Sequence, residues 1–205
     1  MTHTKYLGVI FDKHLTWQYH ITYINTKLNK ALGILSKIRY VVPNYILKTI
    51  YMSFFKPHID YCNIIWSCTS KTILDPIKIS MNKAVRIMTF SKYDSHSEPL
   101  YKKLKLLNLS NTINYNLGKF LWDTTNNINI PVCILSIVKL KQLSRFNRHI
   151  TQTKRFTPLF RTMYKANFIT TTGPPLWNNI PNDIKSAMSK RLFAKKYLQY
   201  ILDNN

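Results

Sequence analysis

Apolar residues recur at spacings of three and four along much of the chain, which predicts a protein built mainly from helices. The longest run lies between residues 16 and 38, where one helical face holds Ile21, Ile24, Leu28, Leu32, Leu35 and Ile38. A second helix is predicted from Asn44 to Lys56, with Pro57 ending it. Before these helices, Tyr6–Phe11 reads as a short apolar strand that turns through Asp12.

Capping and turn residues farther along the chain predict where later elements begin. Asp75-Pro76 is typical of a helix start, with Asp75 as the N-cap. Gly173-Pro174-Pro175 predicts a turn, and a last helix begins near Ser189. A core is predicted where two helices meet around Pro57, built from Ile50, Phe54, Tyr61, Ile65 and Trp66.

The patterns together predict a mainly α fold in four segments. Residues 1–15 form a short β-hairpin element, and residues 16–138 form a helical bundle. Residues 139–172 are a basic, loop-rich segment, because residues 139–165 hold many basic residues and no acidic one. Residues 173–205 form a C-terminal turn and helix.

The net charge of the chain indicates which type of partner it binds. The 205 residues include 30 Lys+Arg against 8 Asp+Glu, a formal net charge of +22, and 13% of them are aromatic. Such a balance favours a polyanionic partner, and exposed aromatic rings add surfaces for base stacking. The charge also fits a helical domain that binds an acidic protein, or plain solvated lysine-rich faces.

Cysteine content and hydropathy indicate the compartment. The three cysteines are too few and too irregularly spaced for a disulfide framework, and no signal peptide or membrane-length apolar run is visible. We therefore expect an intracellular protein, cytoplasmic or nuclear, with no membrane partner.

The N-terminal stretch carries a family resemblance. Its run YLGV-x-x-D-x-x-L-x-W-x-x-H-I, at Tyr6–Ile21, is similar to the segment after the palm of non-LTR, LINE-type (jockey- and CR1-like) retrotransposon reverse transcriptases. Three later runs resemble the same family in the same order: P-x-x-x-Y-C-x-x-x-W at Pro57–Trp66, K-A-V-R-I at Lys83–Ile87, and G-P-x-x-W-N-x-x-P at Gly173–Pro181. Asn82 stands where the family usually has Gln.

The resemblance implies the post-palm part of such a polymerase, with the thumb and tail, and places the fingers and palm upstream. A decayed transposon remnant without function is the alternative that the same motifs allow. The resemblance also implies RNA and DNA as partners, specifically a template–primer duplex such as an RNA–DNA hybrid. The intact enzyme would use Mg²⁺ held by paired aspartates. Because this sequence has no Asp-Asp pair, we expect no catalytic residue, no metal site, no cofactor and no polymerase activity in the chain on its own.

Other candidate chemistry is poorly supported. His58-x-Asp60 has only His96 or His149 to complete an iron triad, and His58, Cys62 and Cys68 lack a fourth zinc ligand at a sensible spacing. The candidate site residues are therefore basic side chains expected to contact phosphates. One set lies in predicted helices: Lys27, Lys30, Lys37, Arg39, Lys83 and Arg86. The other lies in the basic segment: Arg145, Arg148, Lys154 and Arg155.

Overall fold

The protein is mainly α-helical, with one two-stranded sheet at the start of its described part, so the predicted fold class is confirmed. A computed structural model describes residues 3–126 and 167–204, together with residues 128, 130, 131 and 134. The chain divides into two compact units, Met1–Ile113 and Asn114–Asn204. Most of the basic segment predicted at 139–172 lies outside the described residues.

The elements follow in chain order. The first unit contains β1 (His3–Tyr6), β2 (Val9–Asp12), α1 (Gln18–Ile38), α2 (Asn44–Ile50), a π-helical turn (Tyr51–Phe55), α3 (Lys56–Asp60), α4 (Asn63–Trp66), α5 (Lys71–Thr89) and α6 (Ser97–Leu104). Helix α7 (Leu109–Thr125) spans the boundary between the units. The second unit contains α8 (Ile169–Asn179), α9 (Asn182–Lys185) and α10 (Lys190–Asp203).

Strands β1 and β2 form an antiparallel hairpin closed by Leu7 and Gly8. Tyr6 pairs with Val9, so the loop has two residues, and both have positive φ, 45° at Leu7 and 82° at Gly8. This is the geometry that two-residue hairpin loops favour, and glycine adopts it without strain. Tyr61 donates a hydrogen bond of 2.5 Å from its hydroxyl to the Leu7 carbonyl, which ties the loop to the helices.

The Asp12 side chain organises the turn between β2 and α1. Its buried carboxylate accepts backbone hydrogen bonds from His14 at 3.1 Å, Thr16 at 2.9 Å and Trp17 at 2.9 Å. Burial alone would raise the pKa of Asp12, but these donors outweigh it and hold the pKa below its ordinary value. The turn contains left-handed backbone at Leu15 and Trp17, which non-glycine residues adopt at a cost that the Asp12 hydrogen bonds offset.

Helices α1 and α5 form the centre of the first unit. The predicted α1 stripe is confirmed, since Ile21, Ile24, Leu28, Leu32 and Leu35 are buried and Ile38 packs against the same core. From α5, Met81, Ala84, Val85 and Met88 are buried in that cluster. The Ser80 hydroxyl donates a 2.7 Å hydrogen bond to the Asn25 side chain, which satisfies a buried polar group within the apolar core.

The core around Pro57 differs from the prediction. Trp66 is buried and Ile50 packs half-buried against the same core, but Phe54, Tyr61 and Ile65 are exposed by 60%, 52% and 46%. The buried residues are instead Leu47, Tyr51, Phe55 and Ile59. The π-helical turn explains the shift: its wider i→i+5 turn keeps residues four apart on one face, whereas the prediction used ordinary α-helical spacing.

Three proline-based predictions are also wrong. Pro57 does not end the second helix, because helical structure continues from Asn44 through the π-helical turn to Asp60, with Pro57 near the start of α3. Helix α5 begins at Lys71, and Pro76 lies inside it, because Ile73 and Leu74 pack on the core and hold an extra turn ahead of the proline. Gly173-Pro174-Pro175 lies inside α8 and is not a turn. There, burial of Gly173, Pro174 and Trp177 outweighs the lost backbone hydrogen bonds.

An aromatic cluster fills the second unit. The Phe193 ring lies 5.8 Å from Trp122, 6.2 Å from Trp177 and 5.5 Å from Tyr197, measured between ring centroids. Tyr197 packs over Gly118, where an added Cβ would clash with the ring. The last helix is confirmed, and the Ser189 hydroxyl caps it by accepting a hydrogen bond from the Leu192 N–H.

His20 joins the hairpin to the helices. Its buried ring accepts a 3.3 Å hydrogen bond from the Ile10 N–H at Nδ1 and meets the Trp66 ring edge-on at 6.1 Å. Its Nε2 is buried without a hydrogen-bond partner. Because burial penalises the charged imidazolium, the pKa of His20 falls to about 4.

Truncating Phe55 should destabilise the protein far more than truncating its neighbour Phe54. Phe55 is fully buried, so Phe55→Ala should cost about 3–5 kcal/mol of unfolding free energy. Phe54→Ala, the matched control, should cost less than about 1 kcal/mol. Chemical denaturation of both variants measures the difference. Equal losses would contradict the side-chain register that the π-helical turn sets.

Stability should depend on pH through His20. The folded-state pKa of about 4 lies below the ordinary value of 6.5, so the unfolded chain binds the proton more readily between these values. The His20 contribution is therefore complete above pH 6.5 and is lost as the pH falls towards 4. Denaturation across this range should give a shallower pH dependence for His20→Gln than for the wild type. Identical slopes would show that His20 is not buried in its neutral form.

Candidate nucleic-acid interface

One exposed face of α1 combines basic and aromatic side chains. Tyr19, Tyr23, Lys27, Lys30 and Lys37 recur at spacings of four, four, three and seven, which places them together on the side away from the buried stripe. Helix α1 contains no acidic residue. We call these five residues the basic α1 face. Lys30 and Lys37 are exposed and Lys27 is half-buried, so three of the predicted site residues lie here.

Two lysines converge on the Tyr23 ring. The Nζ atoms of Lys5, from β1, and Lys27 lie 5.0 and 4.9 Å from the ring centroid, and Lys5 Nζ lies 3.5 Å from the phenol oxygen. The Lys27 ammonium is the largest cause of a lowered pKa at the Tyr23 phenol; Lys5 lowers it further, against an opposing effect of burial. The ring thus holds two cations close together at the surface, which suits an anionic ligand.

Two neighbouring elements lie against the same face. His3, from β1, stacks on Tyr19 with ring centroids 4.7 Å apart. His58, from α3, has a lowered pKa, mainly through burial and also through the nearby Lys27 ammonium. The hairpin and α3 therefore both border the basic α1 face.

The predicted candidate residues do not include His3, Lys5, Tyr19 or Tyr23. The four-residue spacing of Tyr19, Tyr23 and Lys27 was a usable signal, because residues at i and i+4 share a helical face. The contribution of β1 had no such signal. The position of His3 and Lys5 depends on the turn that folds the hairpin against α1.

The other predicted residues lie in different settings. Lys83 is exposed on α5, on the side away from its buried residues. Arg86 is half-buried, and its Nε donates a 2.9 Å hydrogen bond to the Ser95 carbonyl, which holds the loop after α5. Arg39 packs against Tyr40 and Phe90. Arg145, Arg148, Lys154 and Arg155 lie outside the described residues.

The positive charge of this face is not neutralised by ion pairs with acidic side chains of the described residues. In the described part of the chain, the ion pairs are Lys56 with Asp60 at 3.1 Å and Lys190 with Asp123. Asp12 is occupied by backbone donors. None of these acids neutralises Lys30 or Lys37. The lysines of the basic α1 face therefore keep their charge available for a partner.

The described residues contain neither a cluster of metal ligands nor a membrane-spanning helix. Over 3–126 and 167–204, no three His, Cys, Asp or Glu side chains group as metal ligands. Asp60 is paired with Lys56, and Cys68 donates to the Ile65 carbonyl, so neither joins His58 in such a group. No helix within these ranges is long and apolar enough to cross a bilayer.

One of three comparisons with known proteins finds a similar protein. No protein-family model matches the chain, and no solved structure matches it. The chain is similar to the "Probable RNA-directed DNA polymerase from transposon X-element" of Drosophila melanogaster, with 27% identity over 121 residues. The aligned region covers 57% of this chain and 13% of that much longer protein. This match supports a relation to the reverse transcriptases of non-LTR retrotransposons.

Proposed function

We propose that this chain is a non-catalytic, nucleic-acid-binding part of a retrotransposon RNA-directed DNA polymerase. In the intact enzyme it would hold the template–primer duplex, an RNA–DNA hybrid, through the basic α1 face. The similarity to the X-element polymerase supports the parent activity. The observation that carries the proposal is the acid-free α1 surface, on which three lysines accompany two tyrosines.

The geometry suits contacts with the nucleic-acid backbone. Lys27, Lys30 and Lys37 lie along one side of α1, where each can meet a phosphate of a duplex laid beside it. Lysine ammonium groups recognise phosphates by charge and carry no sequence information. The proposed binding is therefore independent of base sequence and strongly dependent on salt.

The chemistry of chain elongation would belong to another part of the enzyme. Polymerases of this kind hold two divalent metal ions on adjacent aspartates, and this sequence has only isolated acidic residues. Asp12, Asp60 and Asp123 serve structural contacts in the fold. The proposed role is thus positioning of the duplex, with Mg²⁺ bound by the upstream palm.

A triple lysine substitution tests the α1 assignment. Replacing Lys27, Lys30 and Lys37 by Gln should lower the slope of log K against log salt on an RNA–DNA hybrid by about 2–3, because each lost phosphate contact removes about 0.7–0.9. Fluorescence anisotropy over a range of salt concentrations measures it. The control replaces three exposed lysines at and after α6, Lys102, Lys103 and Lys105, by Gln, which gives the same net charge.

The outcomes separate the candidate functions. A lowered slope in the α1 variant, together with the wild-type slope in the control, supports the basic α1 face as the contact. Equal loss in both variants would show that the binding follows overall charge. Absence of wild-type binding to the hybrid, or equal affinity for an acidic polypeptide such as polyglutamate, would overturn the proposed function in favour of a basic protein-interaction domain.

A further inference from the structure

Arg39 stacks against two aromatic rings at the ends of α1 and α5. Its guanidinium carbon lies 4.8 Å from the centroid of the Tyr40 ring and 4.6 Å from that of the Phe90 ring. The two rings meet edge-on, with centroids 5.7 Å apart and planes at 64°. We call Arg39, Tyr40 and Phe90 the Arg39 platform.

The Arg39 cation has no anionic partner in the described part of the chain. Neither ion pair found there involves Arg39, and its Nε is buried without a hydrogen-bond partner. A buried guanidinium N–H normally finds an acceptor, since leaving it unpaired is costly. The positive charge is stabilised here by the faces of Tyr40 and Phe90.

Phe90 occupies a position that favours glycine. It follows the last residue of α5 with φ 57° and ψ 26°, the left-handed conformation in which glycine usually ends a helix. A phenylalanine adopts this conformation only with strain. Its ring remains 44% exposed, so burial compensates the strain only in part. Residues whose backbone conformation conflicts with their intrinsic preference are concentrated at functional sites.

Tyr40 leaves a large aromatic surface open. Its side chain is 79% exposed even though the ring contacts Arg39 and Phe90. A planar ligand could therefore stack on Tyr40, and the arginine beside it could attract a linked negative charge. An unpaired nucleotide has both parts: every base offers a π-face, and the phosphate next to it is anionic.

We propose that the Arg39 platform binds an unpaired nucleobase of a single-stranded segment, with Arg39 attracting the adjoining phosphate. The inference rests on the proposed function, because it requires that the chain bind nucleic acid. The Arg39 platform would bind a single strand by base stacking, whereas the basic α1 face would bind a duplex through its phosphates.

Anisotropy with two labelled probes tests the platform in the 205-residue chain. The probes are single-stranded oligodeoxyadenylate and a blunt-ended RNA–DNA hybrid. Tyr40→Ala should weaken binding of the single strand by about 5- to 150-fold, the range expected for one stacked base. Its affinity for the blunt hybrid should change much less. Tyr40→Phe keeps the ring and should bind the single strand like the wild type.

Tyr45→Ala is the matched control, since Tyr45 is an exposed tyrosine that contacts neither Arg39 nor Phe90 in the structure. It should leave both affinities unchanged, and circular dichroism should show all variants folded. Suppose that the wild type binds both probes. If Tyr40→Ala then leaves the affinity for the single strand unaltered, or lowers the affinity for both probes equally, the proposed role of the Arg39 platform is wrong while the proposed function stands. If the wild type binds neither probe, the proposed function fails.

Discussion

The Asp12 carboxylate is the constraint on which the candidate interface depends. Its three backbone hydrogen bonds fix the turn that reverses the chain between β2 and α1. That turn places β1 beside the first turns of α1, where Lys5 meets Tyr23 and His3 meets Tyr19. Asp12, an acidic residue in a highly basic protein, thus fixes the turn that brings basic side chains of β1 and α1 together. It does so because backbone donors satisfy its own charge and it neutralises no nearby lysine.

The charges of the first unit fall into two groups with different roles. Cations with a partner inside the fold are structural: Lys56 pairs with Asp60, and Arg86 donates to the Ser95 carbonyl. On the basic α1 face, Lys27 lies over the Tyr23 ring, which Lys5 from β1 also contacts. Neither ion pair of the described residues involves Lys27, Lys30 or Lys37. Lysine stems and aromatic rings cover apolar surface while the ammonium groups stay in water. The face can therefore exist stably without a ligand and still attract a polyanion.

Regular helical periodicity made the α1 stripe and the last helix predictable, because buried positions recur every three or four residues. Prediction failed where local geometry departs from that period. The π-helical turn moved burial from Phe54 to Phe55, and tertiary packing kept Pro76 and Pro174 inside helices. For the interface, the α1 lysines could be predicted from charge and spacing. Lys5 and His3 could not, because their proximity to α1 arises from the hairpin, and their partners Tyr23 and Tyr19 are 18 and 16 residues away in the sequence.

Lysine footprinting on a bound RNA–DNA hybrid tests the central claim that the basic α1 face contacts nucleic acid. Acylation of each lysine would be quantified by mass spectrometry with and without the hybrid. The account predicts that Lys30 and Lys37 become protected, while Lys102 and Lys103, which are also exposed, react as in the free protein. Uniform protection of all four lysines, or protection of the α6 pair alone, would contradict it.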